Sequence, residues 1–216
     1  MNRSKIIVVD DHDIIRQAIK CLVDMTDHLC IVAETGDGGE VVALCREYMP
    51  DVLLLDISLN NRDGLDVLIR VKKEFNHLPV LIFTGHEESK YGVRSIQTGA
   101  AGYLNKQHSA TQLVAAIDCV LSGHKYITPS MAQLLANWVL VGKEESAYEI
   151  LSDREFQTLQ LISTGLSVSE IAEKLHLSVK TISMYRARVL EKLGLRHNAD
   201  LMRYAMDNSL VDSLKS

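Results

Sequence analysis

The sequence lacks any apolar run close to the roughly 18 residues that a membrane-spanning helix requires. It has only four cysteines, widely separated and without a C-x-x-C pair, which argues against a zinc site and a disulfide framework. No G-K-S/T phosphate loop is present, and TGDGGEVV has Val41 where G-x-G-x-x-G requires its last glycine. These absences disfavour membrane, zinc and nucleotide-binding proteins. We therefore expect a cytoplasmic protein with buried thiols at Cys21, Cys30, Cys45 and Cys119.

The composition is otherwise that of an ordinary globular protein. Of 216 residues, 47% are hydrophobic and 24% are charged, which suits one large domain or two small ones. Residues 1–122 contain 12 Lys and Arg against 17 Asp and Glu, a net charge of −5, whereas residues 123–216 contain 11 of each. Within 176–197, five basic residues and one acidic residue give +4. An acidic half therefore precedes a half with a small basic stripe.

In the first half, short apolar runs alternate with segments of helical periodicity. The runs are Ile6–Val9, Ile31–Ala33, Val52–Leu55, Val80–Phe83 and Tyr103–Leu104, and the helical segments lie near 13–24, 37–47, 64–74, 87–97 and 109–122. Five β-α units in series predict an α/β fold, a doubly wound five-stranded parallel sheet with helices on both faces. In such sheets the functional crevice lies beyond the carboxyl ends of the strands.

Polar residues and one glycine follow four of these runs: Asp10 and Asp11, Asp56, Thr84 and Gly85, and Asn105 and Lys106. Because clustered carboxylates repel one another unless a cation compensates, we predict a Mg²⁺ site at Asp10, Asp11 and Asp56. Asp56 can then act as a nucleophile and form an acyl phosphate. Thr84 and Lys106 would contact the phosphoryl oxygens, and the glycine leaves the space open. Taken singly, each residue has a simpler interpretation. Asp10 or Asp11 alone can be an N-cap of the following helix, Thr84 a turn hydroxyl, and Lys106 a solvated loop charge.

The order and spacing of these residues, together with Gly64 and Tyr103, resemble the receiver domain of two-component response regulators over residues 5–122. The resemblance implies a flavodoxin-like fold and phosphorylation of Asp56 by a partner histidine kinase. It also implies that Tyr103 swings inward as Thr84 moves toward the phosphoryl group, although Tyr103 can equally be half-buried packing. Asn60 and Gln107 stand where many relatives have proline, so we expect different loop geometry and no cis peptide after Lys106.

The second half is predicted to form four helices. SDRE at 152–155 and SVSE at 167–170 are capping boxes. Further start and stop signals are Gly165, Ser178, Gly194 and Asn198. The second and third helices, near 168–175 and 179–193, are joined by a turn at 176–178, which predicts a helix-turn-helix.

The third helix has two distinct faces. Its apolar residues, Val179, Ile182, Val189, Leu190 and Leu193, are expected to pack inward. The opposite face suits a DNA major groove, with base contacts predicted from Lys180, Ser183, Met184 and Ala187. Contacts to DNA phosphates are predicted from Ser178, Thr181, Tyr185, Arg188 and Lys192. For a lone amphipathic helix, a solvated face is the simpler interpretation.

The context of this helix favours DNA binding. Leu151 to Gly194, with LSxRE, the Gly165 turn, Ile171-Ala172, KTI at 180–182 and Lys192-Leu193, resembles the four-helix DNA-binding domain of LuxR-type regulators. A receiver followed by this domain is the arrangement of the NarL/FixJ class. The resemblance implies a phosphorylation-controlled transcriptional regulator rather than an enzyme, active as a homodimer on promoter half-sites of double-stranded DNA.

Two alternatives remain open at this point. A regulator that binds DNA independently of phosphate is the nearer one. An aspartyl-phosphate enzyme of the haloacid-dehalogenase type is the weaker one, because such enzymes carry a second Asp where this chain has Ser58.

We expect a receiver domain at 1–122, a linker at 123–150 and a LuxR-type domain at 151–216. The linker contains an apolar helical stretch, Met131 to Val141, which is expected to pack on the last receiver helix or on the output domain. Gly92 inside the predicted fourth helix costs about 0.5–1 kcal/mol relative to alanine. We hypothesise that this helix is therefore loosely held and easily shifted by phosphorylation.

Overall fold

The computed structural model describes residues 3–59, 64–141, 151–175, 177–208 and 210. It forms two compact units, Met1–Gly142 and Lys143–Ser216, and each unit has its own hydrophobic core. Among the described residues, no helix is long and apolar enough to cross a membrane.

The first unit alternates strands and helices. Its elements are β1 (Ser4–Val9), α1 (Asp13–Asp24), β2 (Leu29–Thr35), α2 (Val41–Tyr48), β3 (Val52–Leu55), α3 (Gly64–Glu74), β4 (Val80–Thr84), α4 (Glu88–Gln97), β5 (Gly102–Asn105), α5 (Ala110–Leu121) and α6 (Pro129–Val141). The strands pair in parallel in the order β2-β1-β3-β4-β5. The predicted doubly wound five-stranded sheet is confirmed.

The sheet is buried on both faces. Successive residues of a strand point to opposite sides, and accordingly Leu53 and Leu55 belong to one core cluster while Val52 and Leu54 belong to the other. This double burial explains why the third strand is a continuous apolar run. It also brings the chain directly from the core to Asp56, whose N–H donates to the carbonyl of Val9 at 2.9 Å.

Helix α2 begins at Val41, four residues later than the pattern predicts. The preceding residues form a turn stabilised by side chains. Asp37 accepts a hydrogen bond from the N–H of Gly39 (2.7 Å), and its own N–H donates to Oγ1 of Thr35 (3.0 Å). These local bonds compete with helical ones, so the helix starts only after them.

The expectation that all four thiols are buried is wrong for three of them. Only Cys45 is buried, while Cys21 is exposed and Cys30 and Cys119 are intermediate. Cys45 lies on the inner face of α2, and its burial, together with the nearby charge of Glu74, raises its pKa to about 11. The separation of the cysteines along the sequence carries no information about burial, which depends on the face of the helix or strand that each one occupies.

Gly92 has a packing role that the sequence does not reveal. A Cβ at this position would lie 2.0 Å from Cε and 2.8 Å from Sδ of Met131, which is 1% exposed. The glycine therefore admits the Met131 side chain of α6, and this removes the basis for the hypothesis of a loosely held α4. The predicted helical stretch near the linker is confirmed as α6, but it packs against α4, which neither expected alternative named.

The second unit consists of α7 (Asp153–Ser163), α8 (Val168–Lys174), α9 (Val179–Leu193) and α10 (Asn198–Asp207). Both predicted capping boxes are confirmed. In each box, the serine hydroxyl accepts a hydrogen bond from the backbone N–H of the glutamate, Ser152 from Glu155 and Ser167 from Glu170. The glutamate carboxylate accepts a hydrogen bond from the backbone N–H of the serine in return. Left-handed glycines follow α7 and α9, at Gly165 (φ +90°) and Gly194 (φ +65°). Of the predicted turn 176–178, His176 lies outside the described residues.

Candidate functional sites

The carboxylates predicted at the strand ends of the first unit come together. Asp10 follows β1 and Asp56 follows β3, which are neighbours in the sheet, and each is only 2% exposed. Together with Asp11 and His12, each offers one ligand atom, and these four atoms lie within 4.8 Å of one another. His12 was not predicted from the sequence. Its position next to Asp11 is the only signal that could have found it.

Lys106 bridges two of these carboxylates. Its Nζ lies 2.6 Å from Oδ2 of Asp10 and 2.5 Å from Oδ2 of Asp56. Burial by itself would lower the pKa of Lys106, but the charge of Asp56 and the hydrogen bonds to both carboxylates outweigh it, and the pKa is raised. The ammonium therefore stays charged at neutral pH and holds the two strand ends in a fixed arrangement.

The remaining carboxylate oxygens differ in how they are satisfied. Oδ1 of Asp10 accepts the N–H of His12 (3.0 Å), and Oδ1 of Asp56 accepts the N–H of Ser58 (3.1 Å). Oδ1 of Asp11 is buried and accepts no hydrogen bond from the described residues, although Nδ1 of His12 lies 2.7 Å away. An oxygen of Asp11 whose polar neighbour is the His12 ring, beside two further carboxylates, matches the oxygen ligands of a hard divalent cation. The residues present therefore fit Mg²⁺.

Gly64 is required by close backbone approach. A Cβ there would lie 2.4 Å from the carbonyl oxygen of Asp56 and 2.5 Å from Cα of Ile57. The N–H of Gly64 donates to the Ile57 carbonyl at 3.0 Å, so α3 begins directly against the end of β3. Asn60, predicted to change this loop, lies outside the described residues.

The loop after β4 is tied to β5. The N–H of His86 points to Oγ1 of Thr84 (3.5 Å), which is completely buried. The hydroxyl of Tyr103 donates to the carbonyls of His86 (2.9 Å) and Glu87 (3.3 Å), and Nδ2 of Asn105 donates to the same His86 carbonyl (2.7 Å). Tyr103 is 1% exposed, so it is fully buried with its hydroxyl engaged, rather than half-buried packing.

The space beside this loop is partly open. Gly85 is exposed, and a Cβ built on it meets no atom within 4 Å. The neighbouring His86 shares a 2.7 Å hydrogen bond between its Nε2 and Oγ of Ser58, which connects the loops after β3 and β4. Neither His86 nor Ser58 was predicted as part of the site. Among the described residues no peptide bond is cis, including the one after Lys106.

Helix α9 exposes most of the residues predicted to contact DNA. Ile182 and Val189 are completely buried, while the predicted base contacts, Lys180, Ser183, Met184 and Ala187, are exposed, as are Ser178 and Arg188. Val179 was predicted to pack inward but is 51% exposed. It occupies the first helical position, ahead of the turns that pack on the core. Oγ of Ser178 caps the helix by accepting the N–H of Thr181 at 3.0 Å.

Two predicted phosphate contacts have roles within the second unit. Nζ of Lys192 lies 2.5 Å from Oε2 of Glu155, a carboxylate only 2% exposed, and this pair joins α9 to α7. Tyr185 is half-buried against the core. Arg186, which was not predicted, donates to Oδ1 of Asn198 at 2.5 Å and joins α9 to α10. Polar contacts near the middle and near the C-terminal end of α9 therefore hold this helix against its neighbours.

Comparison with known proteins finds a matching family for each of the two units. A family model of the response regulator receiver domain matches residues 6–118, and one of the luxR family of bacterial regulatory proteins matches residues 149–205. Response regulator UvrY of Escherichia coli (strain K12) is 32% identical, with 96% of each chain covered. Response regulator GacA of Pseudomonas aeruginosa is 34% identical, over 97% of this chain and 98% of GacA.

A solved structure extends the similarity to three dimensions. RcsB from Salmonella enterica serovar Typhimurium, bound to promoter P1flhDC in the presence of the phosphomimetic BeF3⁻, is 26% identical with a TM-score of 0.61, over 94% of this chain and 98% of that chain. The chain therefore belongs to the two-component response regulators of the NarL/FixJ class, in which a receiver domain precedes a LuxR-type helix-turn-helix domain.

Proposed function

We propose that this protein is a cytoplasmic transcriptional regulator whose binding to double-stranded DNA is controlled by phosphorylation of Asp56. The observation that carries this proposal is the pair of contacts from Lys106 to Asp10 and Asp56, next to the carboxylate of Asp11. Such a buried, oriented arrangement suits phosphoryl transfer, in which positioning and electrostatic stabilisation supply most of the catalysis.

The phosphoryl group comes from a histidine kinase or a phosphotransfer protein. A carboxylate oxygen of Asp56 forms a bond to phosphorus while the bond from phosphorus to the donor's histidine nitrogen breaks, which leaves an acyl phosphate on Asp56. Asp10, Asp11 and Asp56 would hold Mg²⁺, which neutralises negative charge on the carboxylates and the phosphoryl oxygens when bound. Lys106 pairs with a phosphoryl oxygen, and Gly85 leaves the space that the group needs.

Phosphorylation then acts through the loop after β4. Thr84 donates its hydroxyl to a phosphoryl oxygen and the following residues move with it. Tyr103 and Asn105 already hold the carbonyl of His86, so this movement is coupled to β5. The phosphoryl group therefore biases the arrangement of one face of the receiver.

The domain roles follow the two units. Residues 1–122 form the receiver and 151–216 the DNA-binding domain, with 123–150 connecting them. Bases are contacted by Lys180, Ser183, Met184 and Ala187, and phosphates by Ser178, Thr181, Tyr185, Arg188 and Lys192. One copy makes few contacts, so a homodimer on paired half-sites gains effective concentration. The structure of RcsB bound to a promoter supports DNA binding as the role of the second unit.

The test compares the wild type with Asp56→Asn. Duplexes selected from a random-sequence pool are titrated with each protein in Mg²⁺, with and without acetyl phosphate, and the oligomeric state is measured in parallel. We expect acetyl phosphate to strengthen binding or dimerisation at least roughly tenfold for the wild type alone. Asp24→Asn, which removes an exposed carboxylate of α1, is the matched control. Identical behaviour of the wild type and Asp56→Asn would favour the phosphate-independent regulator instead.

A further inference from the structure

A cleft lies at the amino ends of the strands, at the edge of the sheet opposite the carboxylate cluster. Its lining includes Ser4, the first residue of β1, and Pro79 and Ala101, which directly precede β4 and β5. The other walls come from the end of α3, the turn after α4 and the segment that follows α5. The volume of the cleft is about 470 Å³. This volume lies within the range of small-molecule sites, about 300–1,000 Å³, and is larger than a bare phosphate ion requires.

Two lysines line this cleft and have no carboxylate partner among the described residues. The ammonium of Lys72, in the last turn of α3, donates to the carbonyls of Asn76 and Leu78. That of Lys125, after α5, donates to the carbonyl of Ala100 at 2.7 Å. Burial lowers the pKa of Lys72, and the charge of Lys125 lowers it further. The two ammonium groups therefore repel each other, and no acidic side chain among these contacts compensates them.

Both ammonium groups keep donors for a ligand. An ammonium has three N–H donors and no acceptor. Lys72 uses two of them and Lys125 uses one, so one donor remains on Lys72 and two remain on Lys125. His77 and His124 line the same cleft and are exposed, so their ring N–H groups are further donors at its rim.

A glycine positions the Lys72 side chain. Gly99 has φ +107°, and a Cβ on it would lie 3.4 Å from Cε and 3.5 Å from Cγ of Lys72. The aliphatic stem of Lys72 thus lies along this glycine, and its ammonium is held by two carbonyls. A charge fixed in this way loses little freedom when it binds a ligand. On the Lys125 side, a Cβ built on Gly123 meets no atom within 4 Å, which leaves the cleft open there.

The charge of the cleft favours an anion. Its charged lining consists of Lys72, Lys125 and Asp51, which gives +2 − 1 = +1 with both histidines neutral. Asp51 is engaged elsewhere, because its Oδ2 accepts the N–H of Lys5 at 2.7 Å. A phosphate monoester carries about −1.5 to −2 charges at pH 7 and three acceptor oxygens, which suits two ammonium groups that act as point charges. Its organic part would occupy the rest of the volume.

We propose that this cleft binds a small phosphate monoester, whose phosphoryl oxygens bridge Lys72 and Lys125. The bridge removes the repulsion between the two ammonium groups and joins the end of α3 to the segment that follows α5. The ligand therefore stabilises the folded receiver. The proposal does not depend on phosphorylation of Asp56, which lies at the other edge of the sheet.

Calorimetric titration of the full chain tests the site, with phenyl phosphate and inorganic phosphate as probes. EDTA and constant ionic strength exclude a metal-dependent complex at Asp56 and a general salt effect. We expect Lys72→Gln and Lys125→Gln each to weaken binding of phenyl phosphate roughly tenfold. Lys125→Arg keeps the charge and should stay within roughly threefold of the wild type. Lys73→Gln, which removes the same charge at an exposed position of α3, is the matched control and should bind as the wild type does.

The basic face of α9 is the competing place for a phosphate group. Arg188→Ala should leave the affinity for both probes unchanged. If Arg188→Ala weakened binding while Lys72→Gln and Lys125→Gln did not, the probes would bind the DNA-contacting face and the proposal would be wrong. Absence of any heat of binding with both probes would also overturn it.

Thermal unfolding of the receiver distinguishes a ligand site from a purely structural role of the lysines. Phenyl phosphate should raise the unfolding midpoint of the wild type and of Lys73→Gln, but not that of Lys72→Gln or Lys125→Gln. If these two variants had lower midpoints and still responded to the probe as the wild type does, the lysines would serve only to bind the carbonyls of Asn76, Leu78 and Ala100.

Discussion

The two units place their functional charges in opposite ways. In the receiver, Asp10 and Asp56 are 2% exposed and fixed by Lys106, whereas on α9 most of the residues proposed to contact DNA are exposed. A reaction at a carboxylate is favoured by buried and oriented charges, because electrostatic interactions are stronger in a buried site and the charges need not reorganise during the reaction. Binding to a polyanion requires accessible side chains and depends on salt. Burial therefore distinguishes the site that reacts from the surface that recognises.

Among the described residues, each unit nevertheless contains a lysine paired with a buried carboxylate, and the two clusters differ in net charge. Lys192 and Glu155 neutralise each other. Lys106 faces two carboxylates, with Asp11 close by, so the receiver site keeps an excess of negative charge. This difference indicates that the pair in the second unit has a structural role, and that the first unit contains a site that accepts a further cation.

Lys106→Ala should have the largest effect on stability. It leaves two buried carboxylates uncompensated, so the free energy of unfolding of the receiver should fall by about 3 kcal/mol without metal. Added Mg²⁺ should restore part of this loss, because an ion that binds only the folded state stabilises it. Calorimetry with and without Mg²⁺ measures both quantities, and Lys73→Ala, exposed on α3, is the control. If Lys106→Ala were as stable as Lys73→Ala, the proposed difference between the Lys106 cluster and the Lys192–Glu155 pair would be wrong.

Lys192→Ala should destabilise the second unit by a smaller amount. It leaves Glu155 buried and unpaired, but Lys192 itself is 37% exposed in its side chain, so solvent screening reduces the expected loss to about 2 kcal/mol. Magnesium should not reverse it. Arg188→Ala, on the exposed face, should stay within about 0.5 kcal/mol of the wild type. If Lys192→Ala weakened only DNA binding, its charge would belong to recognition and the pair would not be structural.

Arg188→Ala and Lys180→Ala should separate positioning from sequence recognition on α9. The loss of a phosphate contact at Arg188 should weaken binding to all duplexes similarly and reduce the salt slope by about one. The loss of a base contact at Lys180 should cost about 1–3 kcal/mol and relax the preference at one base pair. Titrations of selected and scrambled duplexes at several salt concentrations measure both. Equal effects of the two substitutions on every duplex would contradict the assignment.

Ser178→Ala should lower the stability of α9 by about 1 kcal/mol, because the amide of Thr181 loses its capping oxygen. Ser178→Asn keeps an acceptor and should retain most of the stability. Thermal unfolding of the second-unit transition reports the difference. A loss of DNA affinity without a change in this transition would indicate a direct phosphate contact rather than a cap.

The smallest expected effect is a difference between the cysteines in their rate of reaction with a thiol reagent. The pKa of Cys45 is raised to about 11, mainly by burial, so its thiolate fraction at pH 8 is on the order of one in a thousand. Exposed Cys21 should react first with a disulfide reagent, and Cys45 only after unfolding. Rapid labelling of Cys45 in the native protein would show that α2 opens easily.

Several elements follow from the sequence because their causes are local or periodic. The four apolar residues of β3 predict a strand buried on both faces, and the parallel sheet then brings Asp10 and Asp56 to one edge. The capping boxes at Ser152 and Ser167 depend on residues three positions apart. Exposure of single helix residues is harder to predict, since Val179 and Cys21 depend on where the core ends rather than on helical period alone.

The sequence by itself determined the sheet, the strand-end chemistry and most helix boundaries, since these depend on short-range pattern and on the geometry of parallel strands. Only the tertiary structure decided the partners of the charged and packed groups. Lys106 meets Asp56 across 50 positions, Lys192 meets Glu155 across 37, and Thr128 meets Glu88 across 40. Such contacts arise from the packing of whole elements, which fixes each partner in space and leaves no periodic trace along the chain.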